Sequence, residues 1–256
     1  MSLVHHADVR PDGAAAVLLY GYGAYGIPSD PWLSVARLSL LHRGVAFAID
    51  HVRGGTELGW DWSVQGRTEH TPHSFTDFLA CADALVDQGG AAADRVAAEG
   101  GSAGGLLVAA AATQAPARFR AVLAQVPFVD VLTTMLDPSL PLTVTEQQEW
   151  GDPIADPAAY DLIASYSPYE TVPVGDFPAL LITTSANDTR VFVTEPAKWM
   201  ARLRDRVTDD PVCRPLLMRT QLTSGHGGRS GRYQAWREIA WEWAVLLDLL
   251  GAADQS

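Results

Sequence analysis

A run near the middle of the chain, Arg95-Val-Ala-Ala-Glu-Gly-Gly-Ser-Ala-Gly-Gly-Leu-Leu-Val108, constrains the fold more than any other feature. A strand-like stretch leads into Gly-x-Ser-x-Gly and then into a small-residue helical pattern. This is the signature of a nucleophile elbow, a strained strand-to-helix turn that lifts a serine above a sheet. Gly100 and Gly104 must be small because side chains there would clash once Ser102 is raised, and Gly101 and Gly105 are expected to relax the turn further. The turn also sets Ser102 at a helix amino terminus, where free N–H groups, that of Ala103 among them, can receive developing negative charge. The rival reading is a phosphate-cradling glycine loop, but the run lacks the Walker lysine and the G-x-G-x-x-G spacing.

An elbow requires a sheet, and the rest of the chain predicts one. Runs rich in Val, Ile, Leu and aromatics at Ala15 to Tyr20, Val45 to Val52, Arg95 to Glu99, Ala121 to Val126, Ala179 to Thr184 and Pro215 to Thr220 read as strands. Helical patterns alternate with them at Phe75 to Asp87, Ala103 to Gln114, Pro196 to Arg206 and Gly231 to Leu250. In the last, Tyr233, Trp236, Ala240, Trp243, Leu247 and Leu250 form one apolar stripe, expected to be ordinary core. Such alternation predicts an α/β fold with a mostly parallel sheet flanked by helices on both faces, its sites in loops at the carboxyl ends of the strands. The stretch Asp130 to Val174, rich in prolines and acids, breaks the alternation. It reads as an excursion over the active face, too short for a core of its own.

Composition narrows the function classes. The 256 residues carry a formal net charge of -12, the wrong sign for a nucleic-acid or anionic-membrane binder and a weak pointer to cationic substrates. No basic leader precedes the first apolar run and no run approaches a membrane span, so a cytoplasmic protein is expected. Cys81 and Cys213 show no metal spacing and are expected to be buried structural thiols.

A serine nucleophile needs a base, and on an elbow fold the order along the chain is serine, acid, histidine. Of seven histidines only His226 follows Ser102, in Thr223-Ser-Gly-His-Gly-Gly-Arg229 directly after a predicted strand. Ten aspartates fall between them. Asp188 leaves the strand ending near Thr184, and Asp130 follows the strand ending near Val126; topology favours Asp188 and leaves Asp130 open. Asp176 precedes its strand, and Asp137, Asp152, Asp156 and Asp161 read as caps or turns in the excursion.

The motifs together resemble the catalytic domain of the prolyl oligopeptidase family of serine peptidases, in particular its oligopeptidase B branch. The resemblance rests on Leu19-Tyr-Gly-Tyr-Gly-Ala-Tyr-Gly26, Val52-Arg-Gly-Gly55, Gly100-Gly-Ser-Ala-Gly-Gly105, Val126-Pro-Phe-Val-Asp-Val131, Tyr166-Ser-Pro-Tyr169, Asp188-Thr-Arg-Val191, Glu195-Pro-Ala-Lys-Trp199 and Ser224-Gly-His-Gly-Gly228. It implies an α/β-hydrolase fold and Ser102, Asp188 and His226 as the triad, settling the acid against Asp130. It further implies an oxyanion hole of the Ala103 N–H and the Tyr22 hydroxyl, and a substrate-binding set of Arg190, Glu146, Asp30, Tyr25 and Tyr166. No metal or cofactor is implied.

Specificity is where the chain departs from the pattern. Leu162 stands where prolyl-specific relatives carry a tryptophan, which argues against proline at the cleavage site. Glu146 matches an acid of the oligopeptidase B branch, which cleaves short peptides after Arg and Lys, while a second acid is replaced by Gln148. Asp30 matches one of a further acidic pair, and Trp32 stands at its partner's position. One guanidinium can still be held by one carboxylate. The resemblance therefore implies a peptidase for short peptides with a reduced basic preference. Its alternatives are a prolyl-type or acylaminoacyl peptidase or an esterase on the same triad, and a catalytically impaired domain acting only as a binding module.

The expected organisation is one catalytic domain over residues 1–256, without the amino-terminal β-propeller that such peptidases carry. Surface normally under a propeller predicts marginal stability or self-association.

Overall fold

The structure, a computed structural model, describes residues 1–10 and 12–253. Seven strands form one sheet: β1 (Ser2–Val4), β2 (Ala16–Tyr20), β3 (Val45–Ile49), β4 (Val96–Gly101), β5 (Ala121–Gln125), β6 (Ala179–Ser185) and β7 (Leu216–Gln221). Their spatial order is β1-β3-β2-β4-β5-β6-β7, every pairing parallel except the antiparallel β1–β3 contact at one edge. Strand β1 has no apolar alternation in the sequence. It is recognisable only because Ser2 to Val4 pair with Ile49 to Phe47, covering an edge of β3.

Strands β2 to β6 are continuous apolar runs because helices cover both faces. Successive residues supply opposite cores, Leu19, Ala48 and Ala98 on one side and Leu18, Phe47 and Ala97 on the other. The first core lies under α3 (Pro72–Asp87), α4 (Ala103–Gln114) and α8 (Thr194–Arg206), the second under α1 (Val35–Leu41) and α9 (Arg232–Leu249). Helix α2 (Trp60–Val64) is a single short turn in the loop after β3. The excursion contains α5 (Val131–Met135), α6 (Thr143–Trp150) and α7 (Pro157–Tyr166). No helix among the described residues is long and apolar enough to cross a membrane.

Two expectations are corrected here. The stripe on α9 is core only in its second half: Trp243, Leu247 and Leu250 are buried, whereas Tyr233 is 74% and Trp236 44% exposed. An open groove of about 480 Å³ separates the first half of α9 from α1, lined by Val35, Ala36 and Ser39 on one side and Trp236, Ile239 and Ala240 on the other. The thiols also differ from expectation, for Cys213 is exposed and Cys81 half-buried. Burial raises the Cys81 thiol to about 11, which keeps it unreactive.

Candidate active site

Strand β4 ends at Gly101, Ser102 takes φ 57° and ψ -116°, and α4 starts at Ala103. This left-handed serine conformation is strained, and the surrounding glycines leave the room it needs. A Cβ on Gly100 would lie 2.1 Å from the Gly104 carbonyl oxygen, and one on Gly104 2.5 Å from that of Gly21. Gly105 has the same reason to be bare, since a Cβ there would meet Pro127 at 2.6 Å. Gly101 does not: its nearest contacts would be an ordinary 3.6–3.7 Å. The turn is pinned on both sides, the Ser102 N–H donating to Gln125 O (2.8 Å) and the Phe128 N–H to Ser102 O (3.2 Å).

Two loops bring the other groups to the serine. The Ser102 hydroxyl lies 3.0 Å from His226 Nε2, and His226 Nδ1 lies 2.6 Å from Asp188 Oδ2. Asp188 is buried at the carboxyl end of β6, and its other oxygen accepts the N–H groups of Arg190 (2.9 Å) and Val191 (3.0 Å). Both carboxylate oxygens are therefore engaged, which fixes the ring and its tautomer. The histidine loop is tied to the aspartate loop by Ser185 Oγ donating to Ser224 O and by Asn187 Nδ2 donating to Leu222 O (2.9 Å). Asp130, the rival acid, lies elsewhere. It is buried at the start of α5 and paired with Lys198, beside a Glu195 carboxylate that accepts the N–H groups of Val129 and Asp130.

A cavity of about 290 Å³ opens beside the serine, lined among others by Tyr22, Tyr25, Ser102, Ala103, Glu146 and Arg190. Tyr22 sits in the loop after β2, against the elbow. Burial first, then the neighbouring Tyr20, Glu146 and Glu149, raise its hydroxyl to about 12, so it remains a proton donor at neutral pH. Arg190 is exposed and makes no ion pair among the described residues, leaving its guanidinium available. Glu146 is in the first turn of α6. Its Oε2 accepts both the Tyr25 hydroxyl (2.8 Å) and Trp150 Nε1–H (2.9 Å), which leaves Oε1 without a partner among the described residues.

The remaining substrate-binding expectations are placed differently. Tyr166 is core, 2% exposed, with its ring 5.2 Å from that of Phe75, and it lines no cavity by the serine. It sits on the face of α7 that carries Ile163, and that face packs inward. Asp30 is exposed and outside the cavity lining. Trp32 lies under the Arg37 guanidinium, 4.7 Å from its ring centroid. One residue that sequence reasoning passed over belongs to the site: Glu149, buried on α6, accepts the Tyr25 N–H at 2.7 Å and holds that tyrosine in its φ 58° conformation. The spacing of three between Glu146 and Glu149 placed both on one helix face and was the available signal.

A serine at a strand-to-helix elbow, a histidine and a buried carboxylate in line, on a mostly parallel sheet, define a serine hydrolase site on the α/β-hydrolase fold. The prolyl oligopeptidase family profile matches residues 31–253, and the chain belongs to that family. It is 47% identical over 255 residues to dipeptidyl aminopeptidase BI of Pseudoxanthomonas mexicana, covering 100% of this chain and 35% of that protein. It is 46% identical over 251 residues to Protease 2 of Moraxella lacunata, covering 98% and 36% respectively. The structure of oligopeptidase B from Leishmania major superposes with a TM-score of 0.94 at 39% identity, covering 98% of this chain and 34% of that one. The chain thus spans about a third of the length of these relatives.

Proposed function

We propose that this chain hydrolyses short peptides by acyl transfer, with Ser102 as nucleophile, and that it favours Arg or Lys as the residue contributing the scissile carbonyl. The observation that carries the reading is the line from Ser102 through His226 to Asp188 beside a cavity holding the Glu146 carboxylate, one oxygen of which has no partner among the described residues. Ser102 Oγ forms a bond to the carbonyl carbon as its proton passes to His226 Nε2. Asp188 orients and stabilises the imidazolium. The oxyanion of the tetrahedral intermediate accepts hydrogen bonds from the Ala103 N–H and the Tyr22 hydroxyl. The C–N bond then breaks, the Nε2 proton goes to the leaving amine, and water repeats the sequence on the acyl-enzyme.

Arg190, uncommitted to any carboxylate among the described residues, donates to a backbone carbonyl of the substrate. Glu146 Oε1 receives the basic side chain, and Tyr25 and Trp150 hold the carboxylate in place from its other oxygen. Gln148 and Trp32 add no charge, so preference for paired basic residues is weak.

The test is hydrolysis of chromogenic peptides ending in Arg, Lys, Pro or Phe. Ser102→Ala abolishes turnover, a loss on the order of 10⁶ in kcat for a triad nucleophile. Glu146→Gln erases the Arg and Lys preference. Turnover of esters without cleavage of basic peptide amides would replace the peptidase reading with an esterase. A folded protein that fails to react with a serine-directed fluorophosphonate would leave only a binding module.

A further inference from the structure

The oxyanion donor assigned to Tyr22 depends on where one loop holds that residue. Residues 21–26 leave β2 beside the elbow. They are anchored at one end by the Gly21 N–H donating to Glu99 O (3.0 Å) and at the other by the Gly26 N–H donating to Gly54 O (2.8 Å). Between those anchors the Tyr25 N–H is the one backbone donor with an acceptor among the described residues, and that acceptor is Glu149 Oε1 at 2.7 Å. Gly23, Tyr25 and Gly26 take φ values of 67°, 58° and 66°. For the two glycines this region is accessible at no steric cost. A tyrosine persists there only where its surroundings over-determine it.

Helix α6 supplies those surroundings. Glu149 takes the Tyr25 backbone, Glu146 takes its hydroxyl at 2.8 Å, and the Trp150 ring meets its ring edge to face at 5.7 Å between centroids. The Tyr25 ring in turn packs on that of Tyr22, 6.4 Å away and tilted by 46°. Tyr22 also lies on the elbow helix, where a Cβ on Gly104 would come within 3.3 Å of Tyr22 Cδ2. It is thus packed against both the helix that follows Ser102 and a tyrosine whose backbone one carboxylate holds. Glu149 itself is 8% exposed and does not line the cavity beside the serine. Burial raises its proton affinity, and the Tyr25 N–H and the nearby Arg67 guanidinium oppose that rise.

We propose that Glu149 is a positioning residue for the oxyanion hole: through the Tyr25 backbone it holds the Tyr22 hydroxyl where a tetrahedral oxyanion on Ser102 requires it. The inference rests on the acyl-transfer reading above and adds a residue that acts through Tyr22 rather than on the substrate.

The experiment is a double-mutant cycle on the full chain, read as kcat and KM for peptide p-nitroanilides with Arg or Phe as the acyl residue. Glu149→Leu keeps a side chain of similar bulk and removes the acceptor. Its kcat is expected to fall about 10- to 100-fold with little change in KM, the scale of a small misplacement at a reacting group. Glu149→Gln, which keeps an oxygen for the Tyr25 N–H, is expected to recover most of that loss. In a Tyr22→Phe background Glu149→Leu is expected to cost no more than about twofold, because the donor it positions is already gone. Equal losses in both backgrounds would overturn the proposal, since a residue that only supports the fold lowers the two alike. So would an unchanged kcat in Glu149→Leu, or a loss confined to Arg substrates, which would place the effect at Glu146. If circular dichroism shows Glu149→Leu unfolded, Glu149→Asp draws the acceptor back by one methylene and enters the same cycle under the same criteria. An undiminished kcat in Tyr22→Phe alone would remove the oxyanion assignment and this proposal with it, while Ser102→Ala still reports whether acyl transfer stands. Absence of all turnover in the unaltered protein would sink both.

Discussion

Glu99 lies three residues before the nucleophile on β4, buried, with Trp243 Nε1–H donating to its Oε2 at 3.3 Å. Burial, and after it the nearby Glu242 carboxylate, raise its proton affinity from the ordinary 4.5 to about 7. Between these two values the folded chain keeps a proton that the unfolded chain has released. Folding stability attributable to Glu99 is therefore complete below pH 4.5 and is lost as pH rises through 7. At about 1.4 kcal/mol per pH unit, the span from 4.5 to about 7 amounts to roughly 3 kcal/mol. That is a substantial part of the 5–15 kcal/mol typical of a folded domain. Glu99→Gln keeps the volume and an oxygen for Trp243 but cannot ionise. Urea unfolding of both proteins at pH 5 and pH 8 isolates the linkage, because Glu195, also raised to about 7, contributes equally to each. The variant should gain up to about 3 kcal/mol over the unaltered protein at pH 8 and much less at pH 5. A gap that stays constant between the two pH values would refute a proton on Glu99.

Three further outcomes are expected. Gly100→Ala should destabilise by at least about 2 kcal/mol, since its Cβ meets a backbone oxygen that cannot move cheaply, whereas Gly101→Ala should stay within about 1 kcal/mol of the parent; thermal unfolding separates the two, and equal losses would refute the contact geometry. Tyr22→Phe should lower kcat by about 10² to 10³ with little change in stability, as expected for one lost oxyanion donor, and an unchanged kcat would remove Tyr22 from that role. Exposed apolar surface such as Tyr233 and Trp236 on α9 is expected to drive self-association, which a clean monomer in sedimentation velocity at micromolar protein would contradict.

Much of this molecule is legible locally. The elbow can be read because strain is written in small residues, and Ala103 to Gln114 is helical over the range that its pattern predicts. The turn-forming acids are equally local: Asp156 caps α7 through the Ala158 N–H, and Asp137 and Asp152 accept from backbone groups two or three residues on. Parallel strands are visible because burial on both faces demands unbroken apolar runs. Strand β1 was invisible for the converse reason. An edge strand half in solvent needs no such run, and its partner lies more than forty residues away.

What the sequence by itself determined is the set of short-range commitments: the strained serine, the order of serine, acid and histidine, and the alternation that builds the sheet. Tertiary structure decided which of these groups meet. It set Asp188 rather than Asp130 against His226, buried Tyr166 while leaving Tyr22 beside the serine, and left half of the α9 stripe in solvent. It also made a cavity behind the nucleophile from four strand ends and a helix far apart along the chain. Backbone strain and capping depend on neighbours a few residues away, so composition and spacing encode them. Burial and cavity shape depend on which distant surfaces come into contact, and that is settled only when the chain has closed on itself.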